Sequence, residues 1–446
     1  MKDTTKRLKA VLLGAGNRGM IYADYALRYP ERLEIIAEID TDKTHRNEAK
    51  INRERKREGF IRYNLKDSMV FDNIDDFLKA KISADFVINA TMDASHYSTT
   101  MKLIAAGYDI LLEKPVTNCK KELLEIQRAA DQKGVKIVVC HVLRYTPFYR
   151  TIKELIMKGE IGRVLTMELN EHVGISHFLD SFVRGKWSSE KECGSSFLLQ
   201  KSCHDTDLIC WLHNDADPKH VSSFGSRSLF IPQDAPKGAT EFCYNCPHNS
   251  VCLYSAQKVH LELDSMPFQT WERIGKPVDT ITREEKEEYL KHSRYGRCAY
   301  NSGGDINDRQ VVSVEFADGV TACFTMVGGA SRGGRDIYIV GDKGEITGHL
   351  EDDRFILRKF RREPDYGYDE EIIDVKNKIA NHTENATHSG GDCVLMQDAV
   401  EYFENGTMSV SITDINDSVN GHCLVYAAEE ARKEKKIIDF DGFKNN

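Results

Sequence analysis

The nine residues V-L-L-G-A-G-N-R-G, positions 11–19, restrict the possible folds more than any other part of the 446-residue chain. An apolar run ends in Gly14, Gly16 and Gly19, spaced G-x-G-x-x-G, and residues 17–28 then suit a helix. In a strand–turn–helix unit each glycine has its own task. The first permits a sharp turn, the second lets the backbone approach a pyrophosphate, and the third lets helix and strand pack closely, with the helix N-terminus facing the phosphates. A second apolar run, Leu33 to Ile39, ends in Asp40, where a carboxylate can accept hydrogen bonds from a ribose 2′-hydroxyl and repel a 2′-phosphate. The pattern predicts a dinucleotide-binding βαβ unit selective for NAD. Arg46 is the feature that favours NADP instead.

Strand-like runs near 8–13, 33–39, 85–90, 109–112 and 135–140 alternate with helix-like segments, among them a polar one at 43–57. Such alternation predicts a parallel sheet covered on both faces. Near Arg144 the pattern changes: a helix is expected after Pro147, hairpins around Asp318-Gly319 and around 342–344, and a helix in the tail from Asp417 onward. The chain therefore reads as an α/β Rossmann dinucleotide-binding domain over residues 1–145, then an α+β domain over 146–446 with a large, mostly antiparallel open sheet. An irregular, cysteine-rich insertion at about 228–305 interrupts the second domain. Length agrees, since domains cluster around ~100–200 residues.

A formal charge of −9 argues against a nucleic-acid surface, which needs clustered Lys and Arg in excess. No run approaches the ~18 apolar residues of a membrane span, and the start M-K-D-T-T-K-R lacks the apolar segment of a signal peptide. The expected location is the cytoplasm, which leaves the sequons at Asn381, Asn385, Asn405 and Asn416 unused. Twelve cysteines in a long intracellular chain then mean free thiols or a metal site rather than a disulfide framework.

The order G-A-G-N-R-G, Asp40, A-T-M-D-A-S-H ending in His96, G-Y-D-I-L-L-E-K-P with Glu113, Lys114 and Pro115, H-V-L-R-Y-T-P, and K-S-C-H-D-T-D resembles the Gfo/Idh/MocA oxidoreductases across essentially the whole chain. The resemblance implies an NAD(P)-dependent dehydrogenase acting on a sugar, inositol or related polyol, assembled as a homodimer or homotetramer through the second domain's sheet. It also implies cofactor contacts from Asn17, Arg18, Thr91, His96, Glu113 and Arg144, beside the three glycines and Asp40. An NAD-dependent glycosidase, working by transient sugar oxidation and elimination, is the alternative within the superfamily, and a non-catalytic sensor a third reading.

Oxidation of a secondary alcohol requires a titratable group beside the nicotinamide to take the hydroxyl proton. Lys114 follows the apolar run Ile110 to Leu112, so it sits at the carboxyl end of a parallel strand, the edge where such sheets bind ligands. In L-L-Q-K-S-C-H-D-T-D-L-I-C-W-L, residues 198–212, Lys201 and His204 share a helix face and complete the catalytic candidates, with Asp207 as a structural partner. Many relatives carry an aspartate four residues before this histidine; here Gln200 stands there and cannot titrate. N-E-H-V-G-I-S-H-F-L-D-S-F-V-R-G-K-W supplies His172, His177, Arg184 and Trp187 as substrate ligands, and an arginine among aromatic rings suits a sugar bearing an anionic group. H-S-G-G-D, His388 to Asp392, precedes a helix and resembles a recurrent family segment, which implies that it lines the same cleft; the other reading of Asp392 is an N-terminal helix residue favoured by the dipole. Finally, Cys243, Cys246 and Cys252 form a C-x₂-C-x₅-C array, and Cys298 follows. Four thiolates around one zinc ion would brace an insertion short of apolar periodicity, with His248 as an alternative fourth ligand and an iron–sulfur cluster as the competing reading.

Overall fold

The computed structural model describes residues 6–41, 63, 65–363, 366–376 and 388–445. Arg46, the helix expected at 43–57 and the sequons at Asn381 and Asn385 lie outside the described residues. Six parallel strands form the first sheet: β1 (Leu8–Leu13), β2 (Leu33–Ile39), β3 (Val70–Phe71), β4 (Phe86–Asn89), β5 (Asp109–Leu112) and β6 (Ile137–Val139). Their order is β3-β2-β1-β4-β5-β6. Helices cover both faces, so the central strands are buried along most of their length rather than alternating; all four residues of β4 are buried. The chain runs outward from β1 in one direction and returns at β4 on its other side, which opens a crevice above the carboxyl ends of these two neighbours.

The second sheet has nine strands in the order β14-β13-β12-β11-β7-β10-β9-β8-β15. Its strands are β7 (Val164–Gly174), β8 (Pro218–Ser226), β9 (Arg309–Phe316), β10 (Thr321–Ala330), β11 (Gly334–Gly341), β12 (Gly344–His349), β13 (Arg354–Arg361), β14 (Gly367–Asp374) and β15 (Ile438–Asp439). Only β7 and β10 pair in parallel; the rest are antiparallel. Both expected hairpins form, β9–β10 around Gly319 and β11–β12 across Asp342 and Lys343. The strict alternation of β9, exposed and buried by turns, marks a sheet with one covered face. The helices Phe197–Leu212 and Ile415–Glu434 contribute to that cover, and one apolar core joins Leu169 and Phe324 on this sheet to Val87 and Leu112 on the first.

Two features depart from the linear reading. The helix Gly391–Asn405 returns to the first domain and packs Leu395, Met396, Val400 and Phe403 with Leu8, Ala10 and Tyr22; Phe403 stacks on Phe86 at 4.6 Å. The Val139 N–H then donates to Thr413 O at 2.8 Å, so residues from the second domain's end of the chain also pack against the Rossmann unit. The insertion fills the connection between the antiparallel neighbours β8 and β9. It consists of short turns and the helices Pro267–Thr270 and Arg283–His292 around a small cluster of Trp271, Ile281, Leu290 and Tyr295. Among the described residues no helix is long and apolar enough to cross a membrane.

Candidate active site

The three glycines do three different things. Gly14 has φ +89°, and a Cβ there would lie 2.5 Å from Ala90 O, so the turn is both left-handed and pressed against the loop after β4. A Cβ on Gly19 would stand 2.0 Å from Gly14 O, which forces a glycine where the helix Asn17–Ala23 meets its own loop. Gly16 is the opposite case: a Cβ there meets nothing within 4 Å. That open face at a helix N-terminus is the approach a pyrophosphate needs, so the cradle fits a dinucleotide. Asp40 is buried at the end of β2, and its Oδ2 accepts the Ala15 N–H at 2.8 Å, holding the glycine loop while keeping a negative charge beside it. Arg18 and Glu113 are braces. Arg18 Nε lies 2.8 Å from Glu113 Oε1 and its Nη2 2.6 Å from Asp392 Oδ1, which ties the glycine helix to the end of β5 and to the returning helix.

At the end of β5 the chain passes Glu113 and the cis Lys114–Pro115 bond. His96 locks this corner from one side, its ring nitrogens 2.6 Å from Pro115 O and 2.9 Å from Thr91 O. His422 locks it from the other, its Nε2 accepting the Val116 N–H at 3.0 Å. Lys114 then reaches out of the first domain, and its Nζ donates to Gln200 O at 2.8 Å in the first turn of the helix Phe197–Leu212. The Gln200 side chain faces elsewhere, donating to Ser195 O at 2.7 Å.

The opposite wall is built on charge. Lys201 Nζ lies 3.5 Å from Glu171 Oε1, and Glu171 is ion-paired to Arg335, whose Nε in turn lies 2.8 Å from Asp205 Oδ1. Burial pushes the Lys201 ammonium below its ordinary pKa, with Glu171 opposing and the cations Arg335 and Lys114 reinforcing the shift. Burial, followed by the charge of Lys201, takes His177 down to about 3, so its imidazole is neutral at physiological pH. Lys114 also acts on His141 and His422, both held below the ordinary histidine range chiefly by burial. His204 is buried beside His141 with the rings edge to face at 5.9 Å, and His141 meets His422 at 5.2 Å. Lys114, Lys201, His177 and His204 thus converge below the carboxyl edge of the parallel sheet. Glu171, Arg335, His141 and His422 escaped the sequence reading. Strand alternation could have exposed Glu171, but no local pattern marks the rest.

Three expected site residues go elsewhere. Arg144 is fully buried in a bidentate pair with Asp207, at 2.7 Å and 2.6 Å, with Asp417 as a second partner, and it joins the domains. His172 alternates with the buried Glu171 and so lies on the outer face of β7, 3.4 Å from Asp336. Arg184 is 1 % exposed and donates to Arg297 O at 2.8 Å and Tyr254 O at 2.5 Å, inside the insertion rather than the cleft. Trp187 stays half-buried beside Phe182, with Lys186 over its ring at 4.5 Å.

The structure does not support the zinc expectation. Cys243, Cys246, Cys252 and Cys298 line one cavity, yet among the described residues no three His, Cys, Asp or Glu side chains are set in place to hold a metal ion. His248 lines the same cavity, but its Nε2 lies 2.9 Å from Lys237 O.

An open backbone face at a glycine turn, at the switch point of a parallel sheet and with a wall of lysine and histidine nearby, defines a dinucleotide-dependent oxidoreductase. Residues 8–141 match the family description "Oxidoreductase family, NAD-binding Rossmann fold", and residues 153–440 match its "C-terminal alpha/beta domain". The chain belongs to the Gfo/Idh/MocA oxidoreductase family, and it is an NAD(P)-dependent enzyme of that family. It is 24 % identical over 336 residues to YteT of Bacillus subtilis (strain 168), whose name places it among oxidoreductases without a substrate; the match covers 73 % of this chain and 74 % of that protein. It is 31 % identical over 139 residues to the scyllo-inositol 2-dehydrogenase (NADP(+)) IolW of the same organism, covering 31 % of this chain and 37 % of IolW. An NAD binding oxidoreductase from Klebsiella pneumoniae shares the fold at a TM-score of 0.67 and 16 % identity, covering 98 % of this chain and 99 % of the other.

Proposed function

We propose that this protein oxidises a secondary hydroxyl of a sugar, sugar acid or polyol, with NAD as hydride acceptor. The observation that carries the reading is the hydrogen bond from Lys114 Nζ to Gln200 O, which stations an amino group from the nucleotide domain, able to accept a proton in its neutral amine form, against the substrate domain's lysine and histidine wall. The dinucleotide supplies hydride acceptance at its nicotinamide ring. The chain's own groups do the rest: Lys114 takes the hydroxyl proton, His204 and neutral His177 hydrogen-bond neighbouring hydroxyls, and Lys201 orients a hydroxyl or carboxylate. With Arg184 and Arg335 both engaged elsewhere, recognition of an acid rests on Lys201 alone.

NAD is preferred because Asp40 keeps its carboxylate beside the glycine loop, where a 2′-phosphate would meet it; IolW, by its name, takes NADP(+) instead. The relatives' names support the polyol class. Phe224 and Val311, exposed on the outer face of the nine-stranded sheet, support a homo-oligomer through that face, which light scattering tests. The deciding assay follows NADH absorbance with a panel of free sugars, sugar acids and inositols, beside aglycone release from nitrophenyl glycosides. Net NADH formation with a free polyol is expected. Aglycone release without net NADH would replace this reading with the glycosidase one.

A further inference from the structure

The insertion holds a buried cation without a counter-charge. The Arg184 guanidinium is 1 % exposed; its Nε and Nη2 donate to the carbonyls of Arg297 and Tyr254, and Nη1 finds no partner. Among the described residues no carboxylate lies within ion-pair distance of it. Asp180, which also feels this charge, is farther away and accepts the Thr270 hydroxyl at 2.6 Å. A fully buried, unpaired guanidinium is strongly unfavourable, so folds place an anion beside one. What stands beside Arg184 is sulfur: Nη2 is 3.9 Å from Cys243 Sγ.

The surrounding backbone is arranged to gather thiols. Cys243, Cys246 and Cys252 come from one loop, while an antiparallel bridge between Phe242 and Arg297, with the Cys298 N–H donating to Glu241 O at 2.8 Å, carries Cys298 in from another. All four line a cavity of about 20 Å³. A water needs ~10–15 Å³ on this scale, so the space admits one ion. Neutral thiols would leave Arg184 uncompensated, whereas four thiolates around a divalent ion carry two net negative charges.

We propose that Cys243, Cys246, Cys252 and Cys298 close around one thiophilic divalent cation, zinc, as a tetrahedral tetrathiolate site whose negative charge is the counter-ion of Arg184. The thiols line the cavity without yet standing at ligand positions, so closure requires side-chain rotation and releases one proton from each thiol to solvent. Thiolate softness selects zinc over magnesium or calcium, and four protein ligands leave no open position for substrate. The site braces the insertion against the segment that carries Trp187, independently of the hydride chemistry.

Elemental analysis of the full-length protein, purified without added metal, tests this directly. About one zinc per chain is expected. Exchange for cobalt should produce the visible absorption bands of a tetrahedral thiolate complex, and chelation should lower the wild-type melting temperature. Cys243→Ser and Cys298→Ser should each lose the metal and melt earlier. Arg184→Gln should keep the four ligands yet release zinc to a chelator at least tenfold faster. If the serine variants fail to fold, metal content and the cobalt spectrum of the wild type still decide. Wild-type protein that is metal-free with all four thiols alkylatable, or joined as disulfides, or holding iron with acid-labile sulfide, overturns the proposal. None of these readouts depends on the substrate assay.

Discussion

Gly16→Ala should separate dinucleotide binding from folding, and Gly19→Ala should join them. At Gly16 the backbone has φ −71° and ψ −175°, which an L-residue adopts without strain, and a Cβ meets no atom within 4 Å. Alanine is a poorer N-cap than glycine by roughly 0.5 kcal/mol, while the stiffer unfolded chain returns about 0.4–1 kcal/mol. Stability should therefore change by less than about 0.5 kcal/mol, or roughly 1–2 °C in Tm for a domain of this size. The methyl group nonetheless occupies the face a pyrophosphate approaches. Losing one charge-assisted backbone hydrogen bond there costs about 1.5–3 kcal/mol, so NAD affinity should fall about 10- to 150-fold. At Gly19 the methyl would sit 2.0 Å from Gly14 O, and backbone has to move. Overpacking of this kind costs about 1–3 kcal/mol, or roughly 2–12 °C in Tm, with NAD binding lost as well. Calorimetric titration with NAD and a thermal scan of each variant make the comparison. Wild-type NAD affinity in Gly16→Ala would refute the assignment of that face to the cofactor, whatever the stability result.

The remaining predictions concern chemistry and charge. Lys114→Ala should keep NAD affinity and lose about 10²–10⁴-fold in turnover; a rate within about threefold of wild type removes Lys114 from the role of base. In calorimetry NAD should bind more tightly than NADP, and Asp40→Ser should narrow the gap; equal binding by the wild type contradicts the reading of Asp40. His177 falls from an ordinary 6.5 to about 3 in the folded chain, so between these values the unfolded chain holds the extra proton. Stability should then be lost as pH drops from about 6.5 toward 3, by up to about 1.4 kcal/mol per pH unit for this residue. Urea midpoints across that range should show a shallower slope in His177→Gln, and an unchanged slope would mean that His177 stays protonated in the fold.

The sequence by itself determined whatever depends on neighbours along the chain. The glycine turn, the acid at Asp40, Lys114 at a strand end and the two hairpins were legible because turn sterics, period-two alternation and strand–helix alternation are local rules. Both domain classes followed from them. The long-range partners were not legible, because a side chain's role is set by what the fold places against it. Arg144 and Arg184 look alike in sequence as cations near a cleft, yet tertiary packing gives one to Asp207 and buries the other beside Cys243. His172 and Glu171 are adjacent, and only the covered face of the sheet decides which of them points toward Lys201. The return of the helix Gly391–Asn405 to the glycine turn, fastened by Asp392 to Arg18, spans most of the chain length. No periodicity records such a contact, since its free energy arises from apolar area and charge that come together only when both domains are folded.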